Sequence, residues 1–344
     1  MDTVRNIRTR ICCCKRRLIL VNVWINIFSG RLPSVSHPIL QKKVRLSLIF
    51  GIIAAALWGL HDLLVRLVSQ RLGVLNSLIW VIFFGTIFLF FFSLIQFNSL
   101  TIYPENLSQS FFLRQEIILS GIFFSIAMLA LFKSLKIGPL AIVAPIIGIY
   151  PIISLILAYL AGAEIRLIFW PLVFFVVLGI AVISIATPEE SAQNELDSHK
   201  KYWSIQYHFP AIIYSLLAAV SFAITFHFGQ QASNSSNTLE VSLHSRVVTF
   251  TVIFLVFIFT QTIIIPRARE IFFLGLMGLL DVAAISLVFG AGKLEMPALA
   301  PVAAANFGIF TLVLAYFILG EKLNTLQVAG IISVFSCLTV ILLV

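Results

Sequence analysis

Ten long apolar stretches constrain the fold of this 344-residue chain more than any single motif does. A helix that crosses a bilayer needs about 20 mostly apolar residues, because each residue advances it by roughly 1.5 Å through a hydrocarbon core of roughly 30 Å. The stretches are 46–65, 74–95, 117–135, 137–161, 167–186, 209–228, 247–265, 271–292, 296–319 and 324–344. They predict an all-α integral membrane protein with about ten transmembrane helices.

The composition agrees with this prediction and excludes a soluble fold. Hydrophobic residues make up 60% of the chain and charged residues 11%, whereas soluble globular proteins carry roughly 25% charged residues. So few charges cannot cover the surface of a water-soluble domain of this size. The four cysteines, Cys12 to Cys14 and Cys337, give neither a disulfide framework nor a zinc-binding spacing. We therefore predict no metal site and no cofactor.

The positive charge is concentrated in the N-terminal tail. Residues 1–45 contain ten Lys or Arg residues and one acid, and the rest of the chain contains 13 basic and 13 acidic residues. The net charge of +9 therefore predicts no nucleic-acid partner. A basic segment just before the first apolar stretch is typical of an orientation signal and of contact with anionic lipid headgroups.

The same basic residues predict the orientation in the membrane. With the N-terminus inside, the tail and inner loops hold fourteen basic residues and the outer loops nine; without the tail the counts are four and nine. The inner loop residues in this count are Arg114, Arg166, Arg246 and Lys293. Because the flank of the first helix usually dominates, we predict a multi-pass protein of the plasma or inner membrane with both termini in the cytoplasm.

Part of the tail has no single interpretation. The stretch 18–28 is apolar but too short to span a bilayer. It resembles the core of a signal peptide without a clear cleavage site, it fits an interfacial helix, and it fits an over-extended gene start. Whether residues 1–45 belong to the native mature protein therefore stays open.

The chain repeats itself at a shift of 157 residues. Leu155–Tyr159 (LILAY) aligns with Leu312–Tyr316 (LVLAY), and Glu164 aligns with Glu321. Self-similarity at a fixed shift is the sequence signature of a repeated structural unit. The chain therefore contains two copies of one unit.

Each half of the chain contains five of the predicted helices. An odd number of spans places the two copies in opposite orientations, and such inverted repeats build secondary transporters. The predicted organisation is a basic cytoplasmic tail at 1–45, a first repeat at 46–186, a polar linker loop at 187–208 and a second repeat at 209–344. The predicted fold is a five-plus-five inverted repeat.

Three segments resemble the EamA-type repeat of the drug/metabolite transporter superfamily. They are Ala141–Glu164 (AIVAPIIGIYPIISLILAYLAGAE), Ala298–Leu323 (ALAPVAAANFGIFTLVLAYFILGEKL) and Ala55–Gly59 (AALWG). The resemblance covers nearly all of 46–344, although the second segment's LGE is replaced by AGAE in the first. The resemblance implies ten helices, an inverted repeat and a central substrate cavity. It implies no particular substrate, because the cargo of the family is varied.

The first segment of each half adds a weaker internal similarity. Ala54–Gly59 (AAALWG) loosely resembles Ala218–Ala223 (AAVSFA), at a shift that differs from 157.

Asp281 lies near the middle of the stretch 271–292, among apolar neighbours. An Asp at the centre of a spanning helix costs roughly 2.5–3.5 kcal/mol on insertion scales, so such a residue faces the bundle or a wet cavity. Two interpretations stay open. Asp281 carries a proton or a cation during transport, or it hydrogen-bonds a neighbouring helix and has no part in transport.

A second polar group lies late in the first predicted helix. Asp62 and Arg66 are four residues apart, so they share a face of the helix and can pair. Together with His61 they are either a gate or contact for an anionic substrate, or an interfacial pair at the outer end of the helix. Trp58, three residues before His61, either lines the cavity or packs against a neighbouring helix.

Three further polar residues lie in predicted helices. His227, near the end of the sixth helix, is either an interfacial residue or part of a relay. A buried amide or hydroxyl needs hydrogen-bond partners. Tyr150 in the fourth helix and Asn306 in the ninth therefore either line the cavity or bond helices together.

Prolines and acids mark the fourth and ninth helices. Pro145 and Pro151 in the fourth, and Pro301 in the ninth, remove backbone hydrogen bonds and predict kinks. Membrane proteins tolerate kinks where protein or a cavity satisfies the freed backbone groups. Glu164 and Glu321, the recurring acids of the resemblance, end these helices, and we interpret both as structural.

These observations predict a secondary active transporter that exports small metabolites by alternating access. Coupling to protons through Asp281 or the His61–Asp62 pair and uncoupled exchange both stay open. We predict no enzyme, because the sequence has no HExxH motif and no paired carboxylate pattern in its spans. The alternative is a membrane receptor or assembly protein that carries no cargo. The predicted partners are a small-molecule substrate, the lipid bilayer and protons.

Overall fold

Helices make up all the regular secondary structure in the part of the chain that the structure describes. The structure is a computed structural model and describes residues 38–99, 114–137, 140–185, 205–260, 264–319 and 324–343. Residues 43–343 form one compact unit. The predictions for the tail before residue 38, for residues 187–204 of the linker and for Glu321 lie outside the described residues.

Twelve α-helices are described. They are α1 Pro38–Leu72, α2 Val74–Ser99, α3 Gln115–Ile137, α4 Leu140–Ile147, α5 Tyr150–Leu160, α6 Phe169–Ile185, α7 Ile205–Asn234, α8 Thr238–Thr260, α9 Ala268–Gly290, α10 Leu299–Ala304, α11 Phe307–Leu319 and α12 Thr325–Leu343. A short 3₁₀ turn, Ala291–Lys293, follows α9.

Seven segments among the described residues are long and apolar enough to cross a membrane. They are Arg45–Val65, Leu75–Ile95, Gln115–Ser134, Phe209–Asn234, Thr238–Phe259, Ala268–Lys293 and Leu299–Ile318. Three shorter apolar helices lie at Tyr150–Leu160, Phe169–Ile183 and Thr325–Ile341. These ten segments correspond one to one to the ten predicted stretches. The prediction of an all-α architecture with about ten spans is confirmed.

Large apolar side chains cover the outside of the bundle. Ile95, Leu160 and Phe259 are among the most exposed of them. A soluble protein rarely exposes so much contiguous apolar surface, whereas lipid tails solvate it. The surface therefore fits a bilayer environment.

The fourth and ninth predicted helices are each interrupted at the same position of the repeat. The first break lies between Ile147 and Tyr150, and the second between Ala304 and Phe307. A shift of 157 maps one break onto the other. The backbone bonds agree as well: the N–H of Gly148 donates to a carbonyl four residues earlier at 2.9 Å, and the N–H of Ala305 does the same at 3.0 Å.

Different residues produce the two breaks. Pro151 is the second residue of α5 and has no N–H to donate to the carbonyl of Ile147, so the helix is interrupted just before it. Pro145 lies in α4. Pro301 does not cause the second break, because it lies in the first turn of α10, where its missing N–H costs little.

The side chain of Asn306 satisfies the second break. Its Nδ2 donates to the carbonyls of Val302 at 3.1 Å and Ala303 at 3.0 Å. An amide side chain is well suited to this position, since its NH2 group has two donors; the carbonyl of Ala303 also accepts the backbone N–H of Asn306, at 3.2 Å. Asn306 is thus bonded within its own broken helix.

Two glycines allow turns that other residues would strain. Gly73 joins α1 to α2 with φ of 73°, and Gly162 ends α5 with φ of 89°. At Gly162 the N–H of Ala163 donates to the carbonyl of Ala158, the bond that defines a Schellman motif. Glu164, which follows, is exposed.

Two helix boundaries differ from the predictions and move residues from loops into helices. Helix α8 begins at Thr238, nine residues before the predicted start, so Arg246 lies inside a helix and not in an inner loop. The polar residues of this first part face the bundle, and hydropathy alone therefore missed them. Helix α7 begins at Ile205, within the predicted linker, and extends to Asn234, so His227 is not at its end.

The two halves pack across each other with a pseudo-two-fold relation. Helix α2 packs on α9, and α3 packs on α8, which is the equivalent contact when the halves are exchanged. Gly121 of α3 and Gly278 of α9 are equivalent by the shift of 157. A Cβ on Gly278 would lie 2.8 Å from the carbonyl oxygen of Val81, and one on Gly121 would lie 2.6 Å from that of Ser245. Close helix approach at small residues is typical of membrane bundles.

Gly278→Ala should therefore destabilise the protein, because the added methyl meets backbone atoms that cannot move aside. We expect a loss of about 1–3 kcal/mol in the free energy of unfolding, measured by thermal or denaturant unfolding of the purified protein in detergent. Gly275→Ala is the matched control, since the Cβ there meets only Phe88, at 4.0 Å. Equal stability of the two variants would contradict this packing.

Candidate functional site

An ion pair lies buried in the second half of the bundle. The Nη2 of Arg246 on α8 lies 2.7 Å from the Oδ2 of Asp281 on α9, and the two side chains are 1% and 4% exposed. Two charges buried in a low-dielectric interior require each other and further hydrogen bonds. Asp281 thus has a cationic partner within the chain, which the sequence analysis did not identify.

Two aromatic residues from the first half of the chain contact this pair. The indole Nε1–H of Trp58 on α1 donates to the Oδ1 of Asp281 at 2.9 Å. The guanidinium carbon of Arg246 lies 5.0 Å from the centre of the Phe124 ring on α3, in cation–π contact. The charged residues of one repeat are therefore held by aromatic residues of the other.

Aromatic contacts close this arrangement into a ring. Phe124 lies 6.1 Å from Phe222, Phe222 stacks on Phe226 at 6.2 Å, and Phe226 lies 6.0 Å from Trp58, measured between ring centres. Tyr150 packs on both phenylalanines of α7. We call these residues the central cluster: Trp58, Phe124, Tyr150, Phe222, Phe226, Arg246 and Asp281. The cluster combines three helices of each repeat.

The central cluster is built on equivalent positions of the two repeats. The shift of 157 maps Phe124 onto Asp281, and the shift of 164 that relates AAALWG to AAVSFA maps Trp58 onto Phe222. The contact between Phe222 and Phe124 is therefore the repeat equivalent of the hydrogen bond between Trp58 and Asp281. One copy of this contact is aromatic and the other is a hydrogen bond to a carboxylate. Arg246 contacts Phe124 in the first and Asp281 in the second.

His61 and Asp62 lie one turn beyond Trp58 on α1. The Nδ1 of His61 lies 3.1 Å from the Oδ1 of Asp62, and their side chains are 15% and 38% exposed. Trp58, one turn earlier, is half-buried. The His61–Asp62 contact and the Trp58–Asp281 hydrogen bond thus lie one turn apart along α1. The predicted partner of Asp62, Arg66, lies in α1, but its side chain is outside the described residues.

The remaining candidates lie apart from the ion pair. His227 is half-buried in α7 and its ring contacts that of Phe228 at 5.5 Å. Asn306 lies at the second helix break. Among the described residues, no group of three or more His, Cys, Asp or Glu side chains converges as metal ligands would.

Arg246 is the important residue that the sequence analysis misplaced. One signal was present: Ser242, Ser245, Arg246 and Thr249 follow at spacings of three and four, which places them on one face of a helix. All four are buried. A polar stripe of this kind at the start of an apolar stretch predicts an inward-facing continuation of the helix.

Arg246→Gln should destabilise the protein because it leaves the carboxylate of Asp281 buried without a counter-charge. Losing one partner of a buried pair costs about 3–5 kcal/mol. Adding Asp281→Asn in the same chain should recover most of this loss, since no uncompensated charge then remains. Unfolding of both variants in detergent measures the effect. A single variant as stable as the wild type, or a double variant no better than the single one, would contradict it.

Comparison with known proteins agrees with this architecture. The sequence model of the EamA-like transporter family matches residues 45–185 and again residues 209–343. No curated protein sequence matches the chain significantly. Among solved structures, one titled "Crystal structure of protein" superimposes with a TM-score of 0.66 at 14% identity, over 86% of this chain and 95% of that chain. At this identity the likeness concerns the fold alone.

Both halves of the chain thus match one family model separately, and the two matches together span most of its length. Its helices long and apolar enough to cross a membrane make it a multi-pass membrane protein. The chain belongs to the EamA-like transporter family.

Proposed function

We propose that this protein is a secondary active transporter that exports small metabolites by alternating access, with the central cluster as its substrate site. The observation that carries this proposal is the buried Arg246–Asp281 pair, which aromatic residues of the opposite repeat hold in place. Inverted-repeat transporters place their substrate between the repeats, so that relative motion of the two exposes it to each side. A polar site shared by both repeats suits that role.

The helix breaks lie next to this cluster. Tyr150, the first residue of α5, belongs to the same apolar core as Ala304 and Ala305 at the second break. Interrupted helices can change their angle at a lower cost in backbone hydrogen bonds, because the regular pattern of bonds to the fourth preceding residue is already broken there. The paired breaks therefore support a motion in which each repeat changes its shape around the cluster.

The two ends of the bundle differ. Arg114 at the start of α3 donates to Ser235 at 2.7 Å and to Ser236, and these contacts link the two repeats at one end. The side chain of Asp62, on the later part of α1, is 38% exposed. In an antiparallel bundle the later part of α1 and the start of α3 belong to opposite ends. With both termini cytoplasmic, as we propose, the contacts of Arg114 would lie at the cytoplasmic end and would help to close it.

Proton movement is the proposed source of energy, and Asp281 is the proposed carrier. Its carboxylate pairs with Arg246 on α8, and His61 and Asp62 lie one turn beyond its hydrogen-bond partner Trp58 on α1. The sequence contains no GxxxxGK[ST] motif for nucleotide phosphates, so a gradient is the simpler driving force. Protonation and deprotonation of Asp281 would then be coupled to the movement of the substrate.

Asp281→Asn should abolish export that depends on a pH gradient, because the amide cannot exchange a proton. The experiment compares metabolites inside and outside cells that express wild type or variant at matched membrane levels, followed by vesicles with an imposed pH gradient. We expect a loss of at least about tenfold in gradient-driven flux. Glu164→Gln, which removes an exposed carboxyl, is the matched control and should behave as wild type.

Two outcomes would contradict the proposal in different ways. Equal flux through wild type and Asp281→Asn would remove Asp281 as the coupling residue and leave transport in place. The absence of any metabolite redistributed by the wild type would contradict the transport function itself.

A further inference from the structure

Arg246 has a donor that the protein does not use. Its Nη2 is bonded to Asp281, but its Nη1 is buried and has no hydrogen-bond partner among the described residues. The whole residue is 2% exposed. An unsatisfied donor on a buried charged group is costly and rare in native proteins. A group from outside the chain is therefore expected to accept this hydrogen bond at some stage.

The surroundings of Arg246 indicate the chemical class of the molecule that carries this acceptor. Both oxygens of Asp281 already accept a hydrogen bond, one from Trp58 and one from Arg246. The unpaired polar group at the pair is therefore a donor on a cation, the Nη1 of Arg246. An acceptor that carries negative charge fits it best. The flat rings next to the pair, of which Trp58 and Phe222 are half-buried, offer an apolar surface.

We propose that the central cluster binds a small organic anion with a carboxylate beside a flat apolar body. The carboxylate accepts a hydrogen bond from the Nη1 of Arg246, and the apolar body packs on the rings of Trp58 and Phe222. This inference rests on the proposed transport function and specifies the chemical class of its substrate.

Asp281 and the ligand compete for one guanidinium. Two carboxylates that share a single cation in a low-dielectric site repel each other, so the carboxylate of Asp281 weakens the binding of the anion. Asp281→Asn keeps an acceptor for Trp58 and removes the competing charge. It also leaves Arg246 without a counter-charge, so the ligand-free variant should be less stable than the wild type, and a bound anion should restore that counter-charge. Asp281→Asn should therefore tighten binding of the anion, whereas a residue with only a structural role would weaken binding when changed.

The test measures binding to the full chain purified in lipid nanodiscs, by calorimetry. The probes are phenylacetate, its neutral amide phenylacetamide, and acetate, which has the charge without the ring. Wild type should bind phenylacetate about tenfold or more tighter than either of the other probes. Asp281→Asn should tighten phenylacetate binding by about tenfold.

Two further variants separate anion binding from folding. Arg246→Gln combined with Asp281→Asn contains no uncompensated buried charge and should bind phenylacetate about tenfold or more weaker than Asp281→Asn alone. Its thermal unfolding is measured beside that of Asp281→Asn to verify the fold. Arg269→Gln, which removes an exposed arginine at the start of α9, is the control and should not change the affinity.

Three results would overturn the inference. They are equal affinity for phenylacetate and phenylacetamide, retention of phenylacetate binding by the folded double variant, and no saturable binding of phenylacetate to either wild type or Asp281→Asn. If such a result is found while the cell experiment shows movement of a neutral or cationic metabolite, the transport function stands and the substrate class is wrong. If no metabolite moves, the function itself fails.

Discussion

The buried pair of Arg246 and Asp281 is the interaction that the centre of this protein depends on. Neither charge can remain alone in an apolar bundle, because removing one from water costs several kcal/mol. The pair lies on two neighbouring helices of one repeat, but its remaining contacts come from Trp58 and Phe124 of the other. These two charges therefore link the two halves of the chain at the central cluster, which is the proposed substrate site.

The repeat explains both the symmetry and the asymmetry of this centre. Equivalent glycines, Gly121 and Gly278, set equivalent helix contacts in the two halves. In the central cluster the two copies differ, because Phe124 occupies the position equivalent to that of Asp281. Under the proposed alternating access, this symmetric scaffold would adopt two related conformations, while Asp281 carries a charge that Phe124 does not. This arrangement suits a transporter, because the symmetric helices would change conformation and the asymmetric residues would determine which substrate binds.

Much of the fold was predictable from the sequence, because the length of an apolar stretch determines whether it can span a bilayer. The ten spans and the repeat followed from such lengths and from LILAY matching LVLAY. The helix breaks were harder to predict from the sequence. A proline pattern suggested Pro301 as a kink, but the break lies after it and is satisfied by Asn306, a residue whose role depends on carbonyls that only the fold reveals.

The site was predictable only in part, for a related reason. Asp281, Trp58 and Tyr150 stood out as polar or aromatic residues within apolar stretches, and the structure brings them into one cluster. Arg246 did not stand out, because hydropathy started its helix at residue 247. A polar stripe that faces inward lowers the hydropathy of a helix that nevertheless lies within the bundle, so apolar length underestimates the helices that carry the site.

Alternating access predicts that the central cluster is reachable from each side of the membrane in turn. The direct measurement places a single cysteine at Phe222, in a chain whose Cys12, Cys13, Cys14 and Cys337 are replaced by serine. A membrane-impermeant maleimide is then added to right-side-out or to inside-out vesicles. A cysteine at Leu255, on the outer surface of α8 and within its span, reports reaction from the lipid face. Labelling of position 222 from both sides, without labelling of position 255, is the predicted result. Labelling of position 222 from one side only would contradict it.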